Sequence, residues 1–201
     1  MFIVFEWVDW SGKDTQLNKT FEYLREKDKN SQIWVTKEPT PNTASGREIL
    51  EKLSWVWFKD WNEALDLYVK DREEQTSIRK DILKHSIILS SRFDYSTYSY
   101  QWVQWLSFEE INKAHNYDNI LIPDITFIFD VSRENIEKRL HNRWWEQEFF
   151  ENIDFLEKVK EKYLESADKL KDTRKIYIID ANKWVEDVFC SVREILENYT
   201  I

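Results

Sequence analysis

Five short apolar runs recur along the chain, at Phe2–Phe5, Ile33–Thr36, Ile87–Ser90, Ile125–Asp130 and Ile176–Ile179. They are rich in Ile, Val and Phe, as strands buried on both faces should be. Stretches of helical periodicity lie between them. Leu17, Phe21 and Leu24 mark one helical face. Ile153, Leu156, Val159, Tyr163, Ala167 and Leu170 mark a second, and Val185, Val188, Val192, Ile195 and Leu196 a third. Strands that alternate with helices imply parallel pairing, because each crossover needs a helix to bring the chain back. The expected fold class is therefore α/β: a five-stranded parallel sheet with helices on both faces. Such sheets bind ligands beyond the carboxyl ends of their strands, so the loops after the strands should carry the chemistry.

A length of 201 residues suits one domain spanning 1–201. With 42% hydrophobic and 33% charged residues, the composition is that of a globular chain with a buried core. The net charge of −9 argues against a nucleic-acid partner, while a few convergent cations could still hold a small phosphorylated ligand. Met1–Val4 is too short for a signal peptide or a membrane span, and no other window is apolar enough to cross a bilayer. The single cysteine, Cys190, cannot form an intrachain disulfide, which fits a cytoplasmic protein. His85, His115 and His141 show no ligand spacing with Cys or with one another, so no zinc site is expected.

After the first strand the chain reads Glu6-Trp7-Val8-Asp9-Trp10-Ser11-Gly12-Lys13-Asp14-Thr15-Gln16 and enters a helix. A phosphate loop has the pattern G-x-x-x-x-G-K-[ST], in which backbone N–H groups wrap phosphate and the Lys reaches its outer oxygens. Gly12 and Lys13 match it. Trp7 stands at the first glycine and Asp14 at the hydroxyl position, with Thr15 beside it. The Gly-Lys pair alone is a weak signal that chance supplies readily.

Further segments raise the specificity. Phe5 to Gln16 fits F-E-G-x-D-G-x-G-K-x-T-Q except at Trp7 and Trp10. Lys37-Glu38-Pro39 follows the second strand. Tyr68 and Arg72 lie four apart in Leu67-Tyr68-Val69-Lys70-Asp71-Arg72, on one helix face. Ser91-Arg92-Phe93 leads to Ser96-Thr97-Tyr98-Ser99-Tyr100-Gln101-Trp102, and Pro123-Asp124-Ile125-Thr126-Phe127 enters the fourth strand. In this order the segments resemble the thymidylate kinase family over nearly the whole chain.

The resemblance implies a P-loop NTPase fold of the nucleoside monophosphate kinase type, acting on ATP and dTMP with Mg²⁺ in dTTP synthesis, and a homodimer. It places ATP on Trp10, Ser11, Gly12, Lys13, Asp14 and Thr15. It places dTMP on Asp9, Pro39, Tyr68, Arg72, Arg92, Thr97, Tyr100 and Gln101. Lys13 would bind the β/γ-phosphate and Arg92 the dTMP phosphate. Tyr68 would stack on thymine and Arg72 would hydrogen-bond its carbonyl. Thr97, Tyr100 and Gln101 would read the base edge and the missing 2′-hydroxyl, whereas Tyr95 and Tyr98 are read as packing residues. Asp9 would orient groups rather than take a proton, since a phosphate acceptor is already ionised near neutral pH. The family divides by whether its catalytic arginine lies in the loop or in a lid. The loop here has no Arg, so Arg139 and Arg143, at the start of a lid near 139–151, are the candidates.

The sequence departs from the family in two ways. The carboxylate expected at Ser91 and the hydroxyl expected at Asp14 have exchanged places, so Asp14, Thr15 and Ser91 are the candidate Mg²⁺ ligands. The second departure is compositional. Ordinary usage predicts roughly 14 glycines in a chain of this length, yet there are 2 glycines and 11 tryptophans. Trp7, Trp10, Trp102, Trp144, Trp145 and Trp184 fall at expected loops or turns, several of them family glycines, and Trp55, Trp57, Trp61 and Trp105 in similar contexts. Only Trp34 reads as an ordinary strand residue. A gene using UGA for glycine, translated with a table that reads UGA as tryptophan, would produce this pattern and spare only Gly12 and Gly46. Taken literally, Trp7 and Trp10 would disrupt the loop. Two other readings therefore stay open: a different nucleotide or deoxynucleoside kinase of the same fold, and a catalytically inactive nucleotide-binding protein.

Overall fold

The structure is a computed structural model that describes residues 1–8, 11–55, 58–104, 106–141 and 153–199. Its elements run β1 (Phe2–Glu6), α1 (Lys13–Lys27), β2 (Gln32–Lys37), α2 (Ala44–Ser54), α3 (Trp61–Ile82), β3 (Ser86–Ser91), α4 (Asp94–Val103), α5 (Phe108–Ala114), β4 (Ile125–Asp130), α6 (Arg133–His141), α7 (Ile153–Leu170), β5 (Ile176–Asp180) and α8 (Val185–Glu197). The five strands form one sheet in the order β2-β3-β1-β4-β5, and every pairing is parallel. Each expected strand is present, extended by no more than two residues.

Burial on both faces holds for β1 and for most of β3 and β4, where Phe2, Ile3, Val4, Phe5, Leu89, Phe127 and Phe129 are wholly buried. It fails for β2, where Trp34 is 54% exposed and Val35 51%. β2 and β5 are the outer strands with one strand neighbour each, and the helical layers cover the centre of the sheet. One helical group joins α1 to α8, and another joins α3, α4 and α7.

The parallel order brings the ends of β1, β2 and β3 to one edge. Glu38 N–H donates to Ser91 O (3.0 Å) and Arg92 N–H to Phe5 O (2.9 Å), so the pairing continues past the strands into the loops that follow. Polar starts fix the helices. Thr43 caps α2 by accepting from Gly46 N–H, Asp60 caps α3 by accepting from Glu63 N–H, and Ser107 with Glu110 forms a capping box on α5. Trp61 opens α3 and Trp102 lies inside α4, so these two are helical rather than turn residues. Trp55 follows α2 and Trp184 precedes α8, both largely in solvent. Trp10, Trp57, Trp105, Trp144 and Trp145 lie outside the described residues.

Candidate functional site: a phosphate loop beside an arginine cluster

The donor side is built where β1 passes into α1. Gly12 precedes the helix with φ 89°, a left-handed conformation open to glycine at little cost. It offers no side-chain cap, and the start of α1 is the kind of helix end that favours an anion. Lys13 is buried on the first turn, its Nζ 3.4 Å from Asp14 Oδ2, and its N–H donates to Ser11 Oγ (3.3 Å). Asp14 and Thr15 are exposed on the same turn. Ser91, at the end of β3, donates through Oγ to Asp14 Oδ1 (2.5 Å). Arg139 reaches back from α6 and donates to Ser11 O (2.7 Å) and Ala181 O (2.9 Å), tying the phosphate loop to the turn after β5.

Trp7 occupies the start of this loop. Its side chain is wholly buried against Tyr163 of α7, with ring centroids 5.1 Å apart, and its Nε1 has no hydrogen-bond partner among the described residues. Asp9, Trp10 and Arg143 lie outside the described residues, as does the lid segment beyond residue 141.

The acceptor side is built from α3, α4 and the ends of β2 and β3. Arg92 has φ 70°, a conformation that costs a residue with a Cβ about 1–2 kcal/mol. Backbone pairing holds it there: its N–H donates to Phe5 O and its carbonyl accepts from Ser90 Oγ (2.9 Å). The guanidinium lies over the Tyr100 ring (5.3 Å) and donates to Ser96 Oγ (3.1 Å). Strain of this kind at an arginine beside the phosphate-loop helix and Tyr100 fits a functional position. Nothing in the sequence signals it.

Arg72 is 1% exposed, and four of its bonds are resolved. Nε donates to Glu38 Oε2 (2.8 Å), Nη1 faces His115 Nε2 (2.9 Å), and Nη2 donates to Phe93 O (2.8 Å) and Thr97 Oγ1 (2.7 Å). Glu38 also accepts from Arg79 Nη2 (2.8 Å). Burial raises the Glu38 pKa and the two guanidiniums oppose that rise. Burial also pushes the Tyr68 hydroxyl up to about 12, with Arg92, Arg72 and Tyr100 close enough to act on it. Tyr68, Arg72, Arg92, Thr97 and Tyr100 thus share one neighbourhood. Gln101 is buried on α4, and Pro39 follows β2 after a cis Glu38–Pro39 peptide. Tyr95 and Tyr98 are core residues, 1% and 0% exposed.

A sequence model described as Thymidylate kinase matches residues 5–192. The chain belongs to the thymidylate kinase family. It is 34% identical to "Thymidylate kinase" of Mesoplasma florum over 98% of this chain and 94% of that one. It is 35% identical to "Probable thymidylate kinase" of Methanocaldococcus jannaschii, covering 98% and 96% respectively. The crystal structure of the thymidylate kinase from Ehrlichia chaffeensis superposes with a TM-score of 0.75 at 24% identity over 98% of both chains, a likeness of fold. The expected P-loop kinase architecture is the one this family adopts.

The family implies Mg²⁺, and the donors present suit it: the Asp14 carboxylate and the Ser91 hydroxyl are hard oxygen ligands, already hydrogen-bonded to each other. No group of three or more His, Cys, Asp or Glu side chains converges among the described residues. A dication that keeps waters and substrate phosphates as ligands needs no such cage. No helix among the described residues is long and apolar enough to cross a membrane. Sequence reasoning missed the layer beneath the pocket, namely Glu38 as a partner of two arginines, Arg79, His115, and Glu6 under α4. Glu6 and Glu38 stand inside segments that carry the resemblance but show no sign of their partners there, and Arg79 and His115 lie in polar stretches that mark neither.

Proposed function

We propose that this thymidylate kinase transfers the γ-phosphoryl group of ATP to dTMP, giving ADP and dTDP. An acceptor phosphate oxygen attacks the γ-phosphorus while its bond to the bridging oxygen of ADP breaks. Lys13 and the amides of Ser11, Gly12, Asp14 and Thr15 hold the donor phosphates, with Trp10 beside them. Arg92 holds the acceptor phosphate and Asp9 orients it. Tyr68 stacks on the base and Arg72 donates to its carbonyl. Thr97, Tyr100 and Gln101 line the base and the deoxyribose, and Pro39 walls the pocket. Asp14, Thr15 and Ser91 would hold Mg²⁺, which lowers the charge repulsion around the phosphates.

Arg139 and Arg143 supply positive charge from the lid. Arg139 must exchange its bonds to Ser11 O and Ala181 O to reach a γ-phosphate. Residues 1–201 act as one domain with a lid near 139–151, in a cytoplasmic homodimer.

The observation that carries this reading is the strained Arg92, fixed beside Tyr100 and Ser96 at the end of β3, the strand whose last residue, Ser91, bonds the phosphate-loop helix. Phosphoryl transfer depends chiefly on placing cations around two phosphates held in line. A coupled ADP-release assay with ATP, Mg²⁺ and dTMP, dUMP, dCMP or thymidine tests it. Preference for dTMP is expected. Turnover of another acceptor without dTMP turnover rejects the reading.

A further inference from the structure

The Arg72 guanidinium is held by four resolved bonds, and one of its holders has no role in the chemistry described so far. Arg72 has five N–H groups. Four resolved bonds occupy four of them, which leaves one Nη1 hydrogen without a partner among the described residues. The other Nη1 hydrogen points at His115. An arginine nitrogen can only donate, so His115 Nε2 must present its lone pair. The imidazole proton then sits on Nδ1, which lies 2.8 Å from Ile111 O and donates to it. Both contacts require the same tautomer.

The ring is fixed as well as the proton. His115 stacks with Tyr98 (5.3 Å, 14°) and with Tyr117 (5.5 Å, 12°), whose hydroxyls lie 3.1 Å apart. Phe108 continues the stack beyond Tyr98 (4.9 Å), and Arg174 lies over Tyr117 (4.4 Å). Tyr117 is itself anchored by donating to Asp94 Oδ2 (2.9 Å). Arg72, Asp94, Arg174, Tyr98 and Tyr117 are the ionisable groups around the ring. Burial, with the Arg72 charge, lowers the imidazole pKa to about 4.

We propose that His115 is a positioning residue for acceptor specificity: by occupying one Nη1 hydrogen of Arg72, it aims the other at the carbonyl of the acceptor base. This rests on the reading that Arg72 contacts that base. An arginine donor aimed at a ring carbonyl accepts thymine and rejects cytosine, whose exocyclic amino group is also a donor at the corresponding carbon. His115→Phe keeps a flat ring in the stack and removes the acceptor. His115→Gln keeps an acceptor and loses the ring.

In His115→Phe the KM for dTMP should rise about tenfold, and the dTMP-over-dCMP ratio of kcat/KM should fall by a similar factor, with the KM for ATP within about twofold of the parent. His115→Gln should recover part of that ratio. A folded His115→Phe with parental KM and ratio overturns the proposal, as does equal behaviour of the two variants. Arg72→Ala separates the two readings. If it leaves dTMP KM and the ratio unchanged, the base-contact reading fails. If it alters both while His115→Phe does not, only the present inference fails. Nitrogen-15 histidine spectra of the unsubstituted protein at pH 7 need no variant to fold. A proton on Nδ1 and a bare Nε2 are expected for His115, and a proton on Nε2 overturns the proposal.

Discussion

Ser91 Oγ donates to Asp14 Oδ1 across 2.5 Å, joining the end of β3 to the first turn of α1. The pair sets a hydroxyl on the strand and a carboxylate on the loop, the reverse of what the resemblance leads one to expect. Asp14 therefore places its carboxyl group beside the phosphate loop, with Lys13 Nζ 3.4 Å from its other oxygen. Asp14→Ala should lower Mg²⁺-dependent turnover at least about tenfold and raise the Mg²⁺ concentration needed for half-maximal rate, and both effects should be far larger than those of Thr15→Ala. Steady-state rates across a Mg²⁺ titration decide it, and the reverse order of the two variants rejects the exchange.

Glu6 supports α4 from below. Its carboxylate accepts from Phe93 N–H (2.7 Å), Ser96 N–H (3.2 Å), Ser96 Oγ (2.7 Å) and Tyr163 Oη (3.1 Å). Burial is the main cause that raises its pKa from 4.5 to about 6, against the lowering effect of the Ser96 hydrogen bond and Arg92. Between those two values the folded chain keeps a proton that the unfolded chain has released. The favourable contribution is thus complete below about pH 4.5 and lost as pH rises through 6, a change of about 2 kcal/mol. Glu6→Gln removes the ionisation, so its stability relative to the parent should improve from pH 4.5 to 7 by up to that amount. His115, with its folded pKa depressed, acts in the opposite direction, but it is present in both proteins and cancels in the difference. Denaturant midpoints across that range provide the check, and a pH-independent difference excludes Glu6.

The indoles at the phosphate loop make a separate prediction. Trp7 is buried with an Nε1 that has no partner among the described residues, a cost of about 1–3 kcal/mol, and its indole packs on Tyr163 at the start of the phosphate loop. Trp55 (φ −141°) and Trp184 (φ −61°) impose no left-handed backbone, and Trp7 and Trp10 stand in the segment that resembles a phosphate loop, so glycine at those two should matter more for function than at Trp55 or Trp184. The double variant Trp7→Gly, Trp10→Gly should raise turnover with dTMP at least about tenfold and tighten ATP binding. The codons at both positions should be UGA. UGG codons there, or a less active double variant, reject the glycine reading.

The sheet was legible because each strand is an uninterrupted apolar run of β-formers, and length alone separates such runs from the long helices between them. Exposure of β2 was not legible. Ile33, Trp34 and Val35 look like an inner strand, and only the order β2-β3-β1-β4-β5 reveals them as an edge. Tyr68, Arg72, Thr97 and Tyr100, which the structure brings into one neighbourhood, could be singled out from the segments that resemble the thymidylate kinase family. Their supports could not, because Glu38, Arg79, Glu6 and His115 meet across sequence separations that no local pattern records. Trp61 and Trp102 were placed in turns because glycine was expected there, and a helix accommodates an indole without difficulty.

The two surviving glycines give the last prediction, because each is required for a different physical reason. At Gly12 the obstacle is conformation. With φ 89° a Cβ is strained, yet the nearest atom it would meet is Arg139 Nη1 at 3.9 Å. At Gly46 the obstacle is space. A Cβ would lie 1.9 Å from Thr40 O, 2.7 Å from Thr43 Oγ1 and 2.9 Å from Asp71 Oδ1. Those atoms form the clasp between α2 and α3: Thr43 Oγ1 accepts from Gly46 N–H and donates to Asp71, the neighbour of Arg72. Gly46→Ala should therefore push α2 away from α3, cost about 3 kcal/mol or more, and weaken dTMP affinity through the displaced start of the pocket. Gly12→Ala should cost only about 1–2 kcal/mol and impair ATP while sparing dTMP. Thermal unfolding of both variants, with binding of each nucleotide measured separately, distinguishes the two causes. A Gly46→Ala protein as stable as the parent would show that the clasp yields, and that this glycine does not need the absence of a side chain.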